Sequence, residues 1–186
     1  MNNDALDSAN LLERIGRLSR ADEKSGDLYP VQWTALRYLA RANRFSRTPM
    51  ALSRYLGATR GTTSQTIMAL ERKGYVKRRP STRDKRSVEL RLTDKAAKAL
   101  AKDPIMALAS SMDRTLGAEG SAFRAQLVRV LESLVEQNGG RKFGECHTCR
   151  HFMRKGSVAH PDGHYCGLLK IPLSDSDSER ICVEQE

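Results

Sequence analysis

From Met1 to Phe143 the chain has neither cysteine nor histidine; all four of each lie in the last 41 residues. Whatever the body of the protein does, it does without thiol or imidazole. Aromatic residues make up only 5% of the chain, while Ala, Leu and Arg are abundant. A helical core built on aliphatic packing is expected from that balance. No apolar run approaches the length of about 18 residues that would span a bilayer, so no membrane segment is expected. No glycine-rich phosphate loop and no nucleophile elbow occur. The acids are scattered rather than paired. These absences disfavour an enzyme. The polar, acidic start "MNNDALDSAN" is not a secretory signal, which points to a cytoplasmic protein with reduced thiols.

What is present suits a soluble protein of one domain and a small appendage: 186 residues, 39% hydrophobic and 29% charged. Lys and Arg number 32 against 22 acids, a net charge of +10. That excess favours a polyanionic partner or an anionic membrane face.

Periodicity predicts a helix over residues 6 to 23, with Leu11, Leu12, Ile15 and Leu18 on one stripe. A second helix starts at Pro30, with Val31, Ala35, Leu36, Leu39 and Ala40 on its apolar face. Then "TPMALSRYLG" reads as a short helix capped by Thr48 and ended by Gly57. Thr59 is the candidate cap of the next helix, in which Ile67 and Leu70 face the core and Gly74 marks the stop. Two short helices joined at Gly57-Ala58 make a helix-turn-helix candidate. After Gly74 the period changes to two. "YVKRR" reads as a strand, "PSTRDK" as a turn, and "RSVELRLT" as a strand with Val88, Leu90 and Leu92 inward and Glu89 and Arg91 outward.

Helices resume after Thr93, with a break expected at Asp103-Pro104. "SAFRAQLVRVLESLVEQ" is amphipathic through Phe123, Leu127, Val130, Leu131 and Leu134. The expected fold class is mainly α with a small β-hairpin wing: a winged helix-turn-helix with a helical dimerisation region. The expected divisions are an N-terminal dimerisation helix in 1–28, the winged helix in 29–92, dimerisation helices in 93–137, a linker in 138–145 and a cysteine-rich tail in 146–186.

Residues 71 to 91 hold nine Lys and Arg against Glu71, Asp84 and Glu89. DNA phosphates would offset the self-repulsion of so cationic a hairpin. The helix before it turns Thr62, Gln65, Ala69 and Arg72 away from the core, with Ser64 and Met68 alongside. Such hydroxyls and amides reach base edges or phosphates in a major groove, and Gln65 can pair bidentately with adenine. Arg60, in the first turn, suits guanine or phosphate. For each residue taken alone, a merely solvated side chain is the competing reading.

"STRDKRSVELRLTDKA" resembles the wing of MarR-type transcription regulators, whose pattern is Asp-x-Arg-Ser, four residues, then Leu-Thr. Here Asp84, Arg86, Ser87, Leu92 and Thr93 carry it, with "VELR" between. "LERKGYVKR" and "YPVQWTALRYLA" resemble other parts of that family, and the likeness spans about residues 6 to 137. It implies a homodimer whose first and last helices interleave, and whose two winged helices sit on successive major grooves of a pseudo-palindromic operator in double-stranded DNA. It implies that Arg86 enters the minor groove and that Asp84 orients it, within a wing tip that also carries Arg83 and Lys85. Narrow minor grooves do attract Arg. A local ion pair between Asp84 and Arg86 is compatible with both roles. The family's common pattern ends at the last dimerisation helix; this chain continues.

The continuation spaces its cysteines as Cys146-x2-Cys149-x16-Cys166-x15-Cys182. Two thiolates at x2 spacing can grip one ion, and two from separate segments can complete a tetrahedron. Thiolates suit zinc, or alternatively an iron–sulfur cluster. "YCGLL" and "ERICVEQ" place Cys166 and Cys182 in short apolar settings that can tuck inward. His151 and His164 are spare ligands, while His147 and His160 are expected to face solvent. A disulfide switch at Cys146 and Cys149 is the competing chemistry. A metal centre here would be structural or a redox or metal sensor, and a small-molecule effector would be separate from it. The functional expectation is a sequence-specific DNA-binding regulator, acting as a repressor. The alternative is a metal-stapled interaction module, in which the acidic end (Asp175, Asp177, Glu179, Glu184, Glu186) meets a partner's basic surface. That end could also fold onto this protein's own wing or stay solvated.

Overall fold

The structure is a computed structural model and describes residues 2–21, 26–80, 88–140, 142–156 and 163–186. Helix α1 (Asn3–Ala21) is followed by α2 (Pro30–Arg41), α3 (Pro49–Leu56) and α4 (Arg60–Arg72). Strands β1 (Val76–Pro80) and β2 (Val88–Leu92) pair antiparallel, Val76 opposite Leu92 and Pro80 opposite Val88. Helices α5 (Asp94–Leu100), α6 (Ile105–Leu116) and α7 (Gly120–Gln137) complete the helical part, with a 3-10 turn at Gly117–Glu119.

The punctuation read in the sequence is the punctuation of the fold. Thr48, Thr59 and Thr93 each accept an amide with the side chain at a helix start, satisfying donors that have no partner inside the helix. Gly57 ends α3 at φ +60, a left-handed conformation that a side chain would strain. The break before Pro104 is locked in place by Asp103. Its carboxylate takes both Arg37 Nε and Nη2 at 2.8 and 2.5 Å and also accepts the Ile105 amide. Burial pushes the Asp103 pKa up, but Arg37 and the Ile105 amide outweigh it and hold the acid below its ordinary value.

The core lies among α2, α3, α4 and the hairpin. Leu36, Tyr38, Leu39, Leu52, Ile67, Leu70 and Leu90 are all but completely buried. Two expectations need correction. Val31 is 41% exposed, and its neighbour Gln32 is buried instead, because Gln32 Oε1 takes the Tyr29 amide at 3.1 Å and Lys73 Nζ at 2.9 Å. Glu89 does not point out to solvent. Its side chain is 12% exposed and pairs with Arg91 at 3.0 Å.

Helices α1, α6 and α7 behave differently. None of the residues in α6 or α7 is buried. Leu11, Leu12, Leu18, Met106, Val130, Leu131 and Leu134 are exposed. No helix among the described residues is long and apolar enough to cross a membrane.

The last segment is built from short pieces. Strand β3 (Gly144–Glu145) pairs with β7 (Ile181–Cys182), and β4 (Phe152–Met153), β5 (His164–Cys166) and β6 (Ile171–Leu173) form a three-stranded sheet. A 3-10 turn at Cys146–Thr148 and helix α8 (Asp175–Ser178) lie between them. Phe143, in the expected linker, packs edge-on to Tyr38 and Tyr55 at ring separations of 6.1 and 5.4 Å. Ile181 and Val183 belong to the main core. The tail has a small core of its own and shares in the larger one.

Candidate nucleic-acid interface and cysteine centre

Helix α4 presents most of the face the sequence assigned, with Ala69 half-buried instead of turned outward. Thr63, Thr66, Ile67 and Leu70 are buried; Arg60, Thr62, Ser64, Gln65, Met68 and Arg72 are exposed. Thr62 is also part of the helix start, its hydroxyl 2.9 Å from that of Thr59. Both ends of α4 are fixed. At the C-terminal end, Lys95 Nζ donates to Lys73 O at 2.9 Å, and Lys73 Nζ bonds to Asp27 O and Gln32 Oε1. Tyr75 Oη donates to Asp27 Oδ1 at 2.6 Å. Burial and that bond raise the Tyr75 pKa to about 12. A helix pinned this way presents its outer side chains as one rigid row.

Beside α4 runs the exposed strand Lys77-Arg78-Arg79. Arg78 ties strand to helix through Glu71 at 2.9 Å. Arg60, Ser64 and Arg78 line one hollow with Pro49, Met50 and Ile67. Cations and hydrogen-bonding groups therefore share a continuous face. The wing-tip residues Arg83, Asp84, Lys85 and Arg86 lie outside the described residues.

The cysteines come together from separate segments of the tail. Cys146, Cys166 and Cys182 are buried and share a cluster with Leu173, against which Phe45, Phe152, Leu169 and Ile171 pack. Cys149, half-buried, donates its amide to Cys146 O at 3.1 Å. The Leu169 amide points at the Cys166 sulfur at 3.4 Å. All four thiols are free. Burial, then the nearby Cys182, Cys166 and Cys149, push Cys146 up to about 12. Among the described residues, no three His, Cys, Asp or Glu side chains already stand where they would hold a metal ion. The thiols are neighbours rather than a closed ligand set.

The described histidines have other engagements. His147 Nδ1 is 3.1 Å from Ser178 O, which leaves it only partly exposed. His151 Nε2 sits 3.4 Å from Glu186, and His164 Nε2 sits 3.2 Å from Asp175 while its Nδ1 accepts the Lys155 amide. His160 lies outside the described residues. The acidic end is also occupied within the tail and the body. Asp177 is buried, boxes with Ser174 and pairs with Arg44 at 3.4 Å. Glu186 pairs with Arg150. Through Asp177 this segment meets the corner between α2 and α3 rather than the wing.

Sequence reasoning missed where the tail lands. Cys182 stands between Ile181 and Val183, so alternation along the strand sends the cysteine to one side and its two neighbours to the other. The cysteine cluster and the main core therefore meet across a single strand. Asn43 donates its amide to Ile181 O at 2.9 Å, Val183 donates to Ser46 Oγ at 2.9 Å, and Arg180 reaches Ala40 O at 3.1 Å. The alternating triplet "ICV" was the available signal.

Elements α2 to β2 make a winged helix-turn-helix: two short helices, a tight turn, a helix with an open polar face and a basic hairpin. Residues 27–87 match the model of the MarR family. FabT of Streptococcus pneumoniae, solved in complex with DNA, is 24% identical, with a TM-score of 0.56 over 73% of this chain and 95% of its own. MepR of S. aureus in a DNA complex is 20% identical, with a TM-score of 0.56 over 72% and 96%. A MarR transcriptional regulator from Methanosarcina mazei is 25% identical, with a TM-score of 0.52 over 74% and 97%. Residues 27–87 thus resemble the MarR family, and the chain shares the fold of solved MarR-type winged helices. No curated protein matches the chain.

Proposed function

We propose that the protein is a DNA-binding transcription regulator, acting as a homodimeric repressor at a pseudo-palindromic operator. The observation that carries this is the exposed row Arg60, Ser64, Gln65 and Arg72 on a pinned α4, beside the cationic strand Lys77 to Arg79. On a MarR-type winged helix that row lies where a recognition helix meets the major groove. Two structures of the same fold were solved in complex with DNA, which supports DNA as the partner. The partner that covers α1, α6 and α7 is a second copy of this chain: their exposed leucines and valines form an apolar surface that one copy leaves unburied.

In the tail, the donor set of Cys146, Cys149, Cys166 and Cys182 fits zinc, with an iron–sulfur cluster as the alternative. The four thiols do not stand as a closed ligand set, so binding an ion requires them to move together. A four-thiolate zinc site has no open position, so its role is structural or sensory rather than hydrolytic.

The test is fluorescence anisotropy with DNA from the protein's own promoter region at two salt concentrations. Binding that weakens steeply with salt is expected. No binding at low salt overturns the reading. Gln65→Ala is expected to cost about 1–3 kcal/mol of discrimination at one base pair, read as a relaxed preference there.

A further inference from the structure

Helix α2 is gripped at two neighbouring residues by chain from the two ends of the α6–α7 pair. Arg37 binds Asp103 through Nε and Nη2, at the entry to α6. The next residue, Tyr38, meets Phe143 just past the end of α7, with ring centroids 6.1 Å apart and planes at 87°. Consecutive residues on a helix point about 100° apart, so the two anchors hold different sides of α2. The second anchor is deep. Tyr38 is fully buried, its Oη donates to Ser46 O at 2.7 Å, and Tyr55 of α3 stacks on it at 4.5 Å. Helices α6 and α7 pack on each other, so one body is tied to the winged helix twice.

Little slack lies between α7 and Phe143. Gly139 donates to Glu136 O at 3.0 Å and Gly140 to Val135 O at 2.8 Å, with Gly139 in the left-handed region at φ +64. Lys142 Nζ reaches back to Glu136 at 2.9 Å and Glu132 at 3.6 Å on α7. Lys142 and Phe143 are adjacent in sequence, yet one is fixed to α7 and the other to α2 and α3. Past Phe143, Gly144 and Glu145 pair with Cys182 and Ile181 of β7. That strand sends Ile181 and Val183 into the main core. It is also bonded to the α2–α3 corner, Asn43 N to Ile181 O and Val183 N to Ser46 Oγ, both at 2.9 Å. With the Arg37 anchor alone, the winged helix could swing about the break at Asp103-Pro104. With Phe143 and β7 seated as well, a swing must break one of the two attachments.

We propose that Phe143 and strand β7 form a strap that fixes the winged helix against α7, which makes Phe143 a positioning residue for the DNA-reading face of α4. This rests on the reading of the protein as a homodimer joined through α1, α6 and α7, and adds to it that the two copies of α4 keep one separation. The physical cause is general. Two half-sites are read together only when the two recognition helices stand about one DNA turn apart. A protein already held in that pose spends less on ordering itself when it binds. Phe143 acts here through α2 and α3, not by meeting DNA.

The test measures the distance between the two copies of α4 in the full chain, without DNA, by pulsed electron resonance. The label is a nitroxide on a keto amino acid that replaces Met68, which is exposed on α4; the native thiols are left alone. The labelled chain is expected to give one narrow distance distribution. Inserting Gly-Ser-Gly-Ser between Lys142 and Phe143 adds about 13 Å of reach and leaves both residues free to keep their own contacts. The insertion is expected to broaden the distribution by several ångströms while the urea midpoint stays almost unchanged. It is also expected to weaken binding of duplex DNA from the protein's own promoter region by up to about 100-fold, the low end of what simultaneous engagement of two sites contributes. If the labelled chain shows no dipolar signal, the homodimer reading falls and takes this proposal with it. If the signal is present but already broad, or stays narrow in the lengthened chain, the strap alone is overturned and the homodimer stands. Should the lengthened chain fail to fold, Phe143→Ala takes its place with the same readout, and a narrow distribution there overturns the strap.

Discussion

The winged helix and the tail bury their interiors in opposite ways. The first packs Leu36, Leu39, Leu52, Ile67, Leu70 and Leu90 to near-zero exposure. The second has four buried residues at its centre, and three of them are cysteines. A core of aliphatic side chains is complete once packed. On the proposed metal reading, a core of thiols is complete only when an ion joins the sulfurs. On that reading, one region carries its own stability and the other depends on the chemistry of its sulfurs.

Breaking that dependence should give the largest effect. Cys146→Ser is expected to abolish stoichiometric zinc, measured by elemental analysis of anaerobically purified protein. Hydrogen exchange should then show the amides of 144–146 and 164–166 close to unfolded rates, with residues 36–39 and 67–70 still protected. Retained protection of the tail in the metal-free variant would show that its small apolar cluster suffices. In the same variant Ile181 and Val183 leave the main core if the tail unfolds.

A second test asks whether the winged helix has anchors indifferent to metal. Asp103→Asn removes the charge that binds Arg37 and caps the entry to α6. It is expected to cost about 2–3 kcal/mol, the range for hydrogen bonds to charged groups, equally with and without zinc. The pH dependence follows from the lowered Asp103 pKa. A carboxylate whose folded pKa is depressed contributes stability above its unfolded pKa, and that contribution is lost as pH falls through the folded value. The loss in the unmutated protein therefore lies below the ordinary aspartate range, and Asp103→Asn should flatten that part of the stability curve in urea melts. A cost that vanishes without metal would tie α6 to the tail.

The two regions also differed in how far they could be read beforehand. In the winged helix each signal is local. Thr48, Thr59 and Thr93 sit within three residues of the amides they cap, and Gly57 acts at its own position. The outer face of α4 followed from helical period alone. In the tail, chain order carried the spacing of the cysteines but not what the strand around Cys182 meets. That contact joins Ser46 to Val183 and Asn43 to Ile181, pairs far apart in sequence whose partners are backbone groups with no residue preference. Phe143 was hidden for the same reason, since a single aromatic beside glycines reads as linker until Tyr38 and Tyr55 are placed. Strict alternation does not show that Arg91, on the same face of the strand, pairs with the Glu89 carboxylate and shields it from solvent.

The smallest effect belongs to the start of α4. Thr59 accepts the Thr62 amide at 3.2 Å, and its hydroxyl also meets that of Thr62. Thr59→Ala is expected to cost about 1 kcal/mol, read as a small drop in the urea midpoint at unchanged slope. Zinc content should not move, because the side chains packed against the cysteine cluster, Phe45, Phe152, Leu169 and Ile171, do not come from α4. DNA affinity should fall by more than the stability does, because fraying of the first turn lets Arg60, Thr62 and Ser64 leave the row in which they meet the groove. If DNA affinity is unchanged while stability drops, the base-reading face begins further along the helix, at Gln65, and the first turn serves only to hold α4 in place.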